Sequence, residues 1–265
     1  MPSVRLSRFF SLLLLAACSD KGLTEPDELD PPSCTRVAGT AAVSFSLDRG
    51  ETIISTAQRL SGVKYTRGLV ALTSARLLAA HAKTVLLSED AGCTWTQIGT
   101  LPLEYTPVVA ASETHAYAWP DSRSGLYRID INGGVSVLTP PGAAVRGVSV
   151  RRLPAEVLRL ADERGSTHDS NDGGSTWRAV GTAVPVSSTV YTVAFDPANF
   201  NRAYAGTSNT GIWYTTDASW IFPVGDISRH NSYQDVSAIA FAPNRPNTMY
   251  LGLGIEQRCD PFACP

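Results

Sequence analysis

Ser88-Glu89-Asp90-Ala91-Gly92-Cys93-Thr94-Trp95 and Ser170-Asn171-Asp172-Gly173-Gly174-Ser175-Thr176-Trp177 follow one pattern, S-x-D-x-G-x-T-W. Between them, Asp130-Ile131-Asn132-Gly133-Gly134-Val135-Ser136-Val137 reads as a degraded copy, with Asn132 and Gly134 at the two central positions. Upstream, Ser46 to Ile53 keeps Asp48 and Gly50 and carries Ile where the others have Trp; downstream, Thr215 to Phe222 keeps Asp217 and a terminal aromatic but loses the glycine. The five register residues Asp48, Asp90, Asn132, Asp172 and Asp217 stand 42, 42, 40 and 45 residues apart. A recurrence of that length marks a repeat architecture with one supersecondary unit per period. Each position has a physical reason. A carboxylate accepts hydrogen bonds from turn N–H groups, glycine takes a positive φ, and threonine and tryptophan open the next strand.

Between these turns lie short apolar, β-branched and aromatic runs punctuated by Gly, Pro, Asn and Asp, and no helical period competes with them. Four sets of four strands are predicted: Leu69–Ser74, Ala75–His81, Thr84–Glu89 and Thr94–Gly99; Val108–Ser112, His115–Trp119, Gly125–Ile129 and Val135–Thr139; Val145–Val150, Glu156–Asp162, Ser166–Asp169 and Thr176–Val180; Val190–Asp196, Arg202–Thr207, Gly211–Thr216 and Ser219–Val224. The repeated turn resembles the Asp-box, or BNR, repeat of sialidases, sortilin-type domains, some endoglucanases and photosystem assembly factors. That resemblance implies an all-β propeller in which each box joins the two outer strands of a blade. It also implies that Trp95 and Trp177 wedge against neighbouring structure, so that the boxes shape turns rather than catalyse.

The two ends are complementary. Residues 39–58 hold one box hairpin, the outer half of a blade, and Val236–Gly254 holds only inner strands. Joined, they complete a fifth four-stranded blade and close the ring without an open edge. A sixth blade, with Asp260 falling 43 residues after Asp217, and a ring left open by a truncated reading frame stand as alternatives.

Residues 1–18 read as an export leader: Arg5 and Arg8, then an apolar run of nine residues, too short for a bilayer span, ending in Leu15-Ala16-Ala17-Cys18. This string resembles a bacterial lipobox, which implies lipidation of Cys18 and anchoring to a membrane in the cell envelope, with Ser19 favouring the outer membrane. Residues 19–33 carry five acids, one lysine and three prolines, the composition of a solvated tether. The expected domain is residues 34–265. The whole chain of 265 residues has 19 Arg, 3 Lys and a net charge of −2, and residues 34–265 balance at zero. With no basic surplus, nucleic acid is not expected as a partner.

Cys34, Cys93, Cys259 and Cys264 remain for pairing in an oxidising compartment. Cys34 bridged to Cys259 or Cys264 would lock the closure; a local Cys259–Cys264 bridge is the rival, and either leaves Cys93 free. No C-x-x-C occurs, the four histidines lack metal-ligand spacing, and no metal or cofactor is expected. His168, Asp169 and Asp172 could suggest a cation site, but they fall on a strand end and a box, where turn roles dominate.

Sialidases carry an F/Y-R-I/L-P motif. The nearest string here, Tyr127-Arg128-Ile129-Asp130, lacks the proline and reads as strand. Glycoside hydrolysis needs two facing carboxyl groups roughly 5–9.5 Å apart, and no convergent pair is legible. If the boxes line one rim, the loops on the other gather Tyr105, Trp119, Asp121, Arg123, Asn209, Arg229, His230, Tyr233 and Asp235. Aromatic, acidic and cationic groups together suit a glycan or a peptide. The expected function is a non-catalytic scaffold binding a protein or glycan. Two alternatives remain: a sialidase-like exo-glycosidase, and a truncated propeller lacking its site.

Overall fold

The computed structural model describes residues 34–38, 44–45, 51–56, 66–104, 106–110, 112–120, 124–152, 154–185, 187, 189–208, 210–215, 219–221, 235–241 and 248–254. The leader, the tether, Cys18, Asp48, Gly50, Asp217, Cys259 and Cys264 lie outside them. All described regular structure is β, in twenty strands. An N-terminal sheet holds β1 (Arg36–Ala38), β2 (Ser44–Phe45) and β3 (Ile54–Thr56), in the order β1-β3-β2. Blade 1 is β4 (Thr66–Ala71), β5 (Leu77–His81), β6 (Thr84–Ser88) and β7 (Thr96–Thr100). Blade 2 is β8 (Val108–Ala110), β9 (His115–Ala118), β10 (Leu126–Asp130) and β11 (Gly134–Leu138). Blade 3 is β12 (Val145–Arg151), β13 (Val157–Asp162), β14 (Thr167–Ser170) and β15 (Arg178–Ala179). Blade 4 is β16 (Val190–Asp196), β17 (Asn199–Thr207) and β18 (Ile212–Thr215), with Ile221 bridging Tyr214 at the place of a fourth strand. A last pair is β19 (Asp235–Phe241) with β20 (Met249–Gly254). Every pairing is antiparallel, and within blades 1 to 4 the strands form meanders in chain order, the blade pattern of a β-propeller.

The core lies between blades, which explains why the strands read as unbroken apolar runs rather than as alternation. In β9, Ala116 and Ala118 face blade 1 together with Leu78, Val85 and Leu101, while Tyr117 points the other way to join Leu126, Leu158 and Leu160 of blades 2 and 3. In β13, Leu158 and Leu160 face blade 2 and Ala161 faces Val190, Val193, Phe195 and Ala205 of blade 4. A strand buried on both faces has no polar side to show. Inner strands approach closely: a Cβ on Gly147 of β12 would stand 1.9 Å from the Val193 carbonyl oxygen of β16. Glycine is therefore a steric requirement at that position.

Blades 1 to 3 are observed with four strands each, their ends shifted by a few residues; of blade 4 three strands are observed, and of the expected Ser219–Val224 only the Ile221 bridge, residues 222–224 lying outside the described ones. The N-terminal segment differs from expectation. It forms a hairpin of β2 and β3 and also places β1 on the far edge of β3, through Arg36↔Thr56, Val37↔Ser55 and Ala38↔Ile54. Among the described residues this sheet and the β19-β20 pair are separate.

Candidate functional site

The two full aspartate-headed turns have nearly the same atomic construction. In blade 3, the Asp172 carboxylate accepts hydrogen bonds from the Ser170 hydroxyl (2.7 Å), the Ser175 and Thr176 N–H groups (3.0 and 2.9 Å) and the Thr176 hydroxyl (2.6 Å). The Ser170 hydroxyl oxygen in turn accepts the Gly174 N–H at 2.8 Å, and Gly173 and Gly174 take φ of 71° and 94°. In blade 1, Asp90 accepts from Ser88 (2.8 Å) and from the Thr94 N–H and hydroxyl (2.8 and 2.6 Å), with Gly92 at φ 92°. The Thr176 hydroxyl, followed by the Thr176 N–H and Ser170, holds the Asp172 carboxyl down at about 2. Burial pulls the Asp90 carboxyl upward, but the bonds from Thr94, Ser88 and Cys93 outweigh it and leave it below the ordinary range. Both groups are stabilised as anions by their own turns.

One of the turn assignments is corrected. Asn132 makes no side-chain hydrogen bond among the described residues; blade 2 closes instead by a tight hairpin in which Asp130 faces Gly134 (φ 89°) and the Gly133 N–H donates to the Asp130 carbonyl. In blade 4 the expected Asp217 and Phe222 lie outside the described residues; beside them Trp220 is buried, its indole N–H donating to the carbonyls of Gly165 and Thr182. Trp177 reaches back in the same way, donating to the Thr139 carbonyl of blade 2 at 3.1 Å. Trp95 donates within its own turn, to the Gly92 carbonyl.

What ties blade 1 backward is covalent. Cys34 is bonded to Cys93, across 59 residues, which overturns the expectation that Cys34 pairs with Cys259 or Cys264 and that Cys93 is free. The expectation assumed that the rim carrying Cys93 is out of reach of Cys34. Thr139 and Thr182 follow the outer strands of blades 2 and 3, and each meets the turn tryptophan of the next blade. Twisted outer strands bring the end of one blade to the turn of the next. Cys34, beside the β3 end through Arg36↔Thr56, meets the blade 1 turn by that rule.

Of the expected ligand face, Tyr105, Asp121, Arg123, Asn209, Arg229, His230 and Tyr233 lie outside the described residues. Trp119 is half-buried and packs against Tyr117, Leu126 and Leu158 rather than offering an open stacking surface. Asp235 opens β19, paired with Gly254. These two are not brought together with one another.

The possible cation trio is likewise dispersed. His168 Nε2 faces Asp162 at 3.4 Å, Asp169 pairs with Arg159, and Asp172 serves its turn. Among the described residues no group of three His, Cys, Asp or Glu side chains could hold a metal ion. Tyr127-Arg128-Ile129-Asp130 is strand β10, its Arg128 forked onto Asp130 at 3.1–3.2 Å.

Two polar assemblies escaped sequence reading. On the rim of the aspartate turns, Glu156 accepts from the Tyr117 phenol (3.0 Å) and faces His115 Nε2 (3.0 Å), while His115 Nδ1 meets the Ser112 hydroxyl (2.8 Å). Burial, reinforced by the Glu156 charge, pushes the Tyr117 phenol far up, so it remains a donor. Ser112 Oγ also accepts the N–H groups of Thr114 and His115, a turn-capping role. The second assembly lies between blades 3 and 4. Arg159 forks onto Asp169 at 2.6 and 2.9 Å, donates to the Phe200 carbonyl, and stacks 4.3 Å over the Phe200 ring. Arg159 and Asp169 become neighbours only through the β13–β14 register, so nothing local in the sequence announces them.

No family model matches the chain. A curated relative, the dispase autolysis-inducing protein of Streptomyces mobaraensis, is 40% identical over 151 residues, which is 57% of this chain and 40% of the relative. The chain thus spans about two fifths of that relative's length. Among solved structures, an ancestral GH74 enzyme matches with a TM-score of 0.56 at 20% identity over 72% of this chain and 28% of the other. The GH74 xyloglucanase from Xanthomonas campestris gives 0.54 at 16%, over 72% and 36%. YCF48 bound to D1 peptide gives 0.53 at 14%, over 78% and 66%. These structural likenesses establish the propeller fold and nothing finer.

Proposed function

We propose that residues 34–265 form a propeller that binds a protein or glycan without transforming it, displayed at the cell envelope by lipidated Cys18 on the acidic tether. The observation that carries this reading is that eight of the described carboxylates are already employed. Asp90 and Asp172 hold turns, and Asp162 and Glu163 accept backbone N–H groups. Asp169, Asp196 and Asp130 face arginines, and Glu156 faces Tyr117 and His115. A glycosidase acid needs a carboxyl held protonated by its surroundings. Asp90, Asp162, Glu163 and Asp172 all shift the opposite way: burial raises the first three, but hydrogen bonds to the anion outweigh it. A protein ligand is favoured by two comparisons. The Streptomyces mobaraensis relative is named for inducing autolysis of dispase, and YCF48 was solved with a peptide bound.

The turns support the Asp-box reading, since their hydrogen bonds are those the motif requires. The same reading closes the ring. β2 and β20 each lie at the end of their sheet, and the Cys34–Cys93 bond holds the N-terminal sheet against blade 1, where a last blade would stand.

Glycoside hydrolysis is the second reading, favoured by the GH74 neighbours. The two separate in an assay of the purified protein on aryl glycosides, sialosides included, and xyloglucan oligosaccharides. Binding alone predicts no turnover above the uncatalysed blank. Turnover abolished by Asp121→Ala or Asp235→Ala would overturn the scaffold.

A further inference from the structure

Blade 3 turns a three-rung charge ladder toward blade 4: Arg159 on β13, Asp169 on β14 and Arg178 on β15 are successive register partners. The first two rungs satisfy each other. Arg159 and Asp169 are only 13% and 9% exposed, and both carboxylate oxygens are held by the guanidinium. The third rung is left over. Arg178 is exposed and makes no hydrogen bond or ion pair among the described residues. Beside it a groove of about 640 Å³ runs along the 179–182 backbone, with Thr167 and Asn201 on its walls.

The corresponding space elsewhere is filled. Between blades 1 and 2 the outer strands touch, a Cβ on Gly99 standing 2.9 Å from the Val135 side chain. Between blades 2 and 3, Trp177 packs against the Leu138 cluster and bonds Thr139. Between blades 3 and 4, Trp220 closes only the end at Gly165 and Thr182.

We propose that this groove binds an extended peptide carrying an acidic side chain, with Arg178 receiving the carboxylate and the free edge of β15 pairing the peptide backbone. The described lining sums to one positive charge, since the Arg159–Asp169 pair cancels and Arg178 does not. A guanidinium receives a carboxylate through two parallel N–H donors. β15 is the last strand of its sheet, so one side of its backbone is unused by the blade, the condition for strand addition. Among the described residues the groove's lining holds no aromatic side chain to serve as a stacking platform for a sugar. The inference deepens the scaffold reading and rests on it.

The test uses the intact protein and a library of end-capped hexapeptides in matched pairs, Glu or Gln at one central position, read by fluorescence anisotropy. The Glu member of the binding pairs should bind at least tenfold more tightly than its Gln twin. Arg178→Glu should abolish that preference and Arg178→Lys retain part of it. Because Arg178 is exposed and has no partner among the described residues, both variants should fold, as checked by unchanged circular dichroism. A Glu preference that survives in Arg178→Glu, equal binding of both members, or binding by no pair overturns the groove. None of these touches the scaffold reading, which falls instead on glycoside turnover.

Discussion

Serine in place of Cys34 is expected to lower the thermal midpoint of the protein by roughly 10 °C. The cross-link spans 59 residues. Closing a loop of that length in the unfolded chain is worth about 4 kcal/mol in the chain-entropy description. A bond joining neighbours within one turn would return less. This one joins the N-terminal sheet to blade 1, two parts that share no backbone hydrogen bonding among the described residues. Reductant should reproduce the loss in the wild-type protein and add nothing in the variant. A midpoint lowered by Cys34→Ser and by Cys259→Ser but unchanged by Cys93→Ser would restore the closure expected from sequence alone.

Asp169→Ala should cost about 4 kcal/mol, read as a shifted midpoint in denaturant, because it leaves the Arg159 guanidinium nearly buried without its anion. Arg159 cannot swing out to water without surrendering the Phe200 carbonyl and the ring beneath it. The double replacement Arg159→Met with Asp169→Leu removes both charges together and should recover most of the loss, since a buried ion pair is worth little against apolar groups of like volume. If the single variant is as stable as wild type, the pair is not desolvated as described.

The contrast between these residues and the turns shows what a sequence can carry. Asp90 and Asp172 hold their turns through bonds to residues two to four positions away, so their signature is compact enough to read in the chain. The strands of blades 1 to 4 follow from it, because regular turns divide the chain into regular runs. Asn132 shows the limit of that reading: a hairpin of three loop residues needs no carboxylate, and the recurrence survives while the chemistry is lost.

Long-range features stayed hidden. Cys93 meets Cys34 because twist delivers one blade's outer strand to the next blade's turn, a relation between blades rather than within one. Trp220 wedges against Gly165 and Thr182 from a position that a strict motif alignment does not single out. Arg159, Asp169 and Arg178 form a ladder only once two hairpin lengths are known. Of the expected ligand face, Trp119 proved to be packing, because an indole beside Tyr117 and Leu158 is better buried than exposed.

The proposed ring is completed by both ends of the chain. Amide cross-strand NOEs in labelled protein decide it. Ring closure predicts contacts between Met249–Gly254 and Ser44–Phe45, so that β19, β20, β2 and β3 form one blade with β1 on its outer edge. An edge of β20 that gives no contact with the N-terminal sheet, or pairs with another segment, would contradict it.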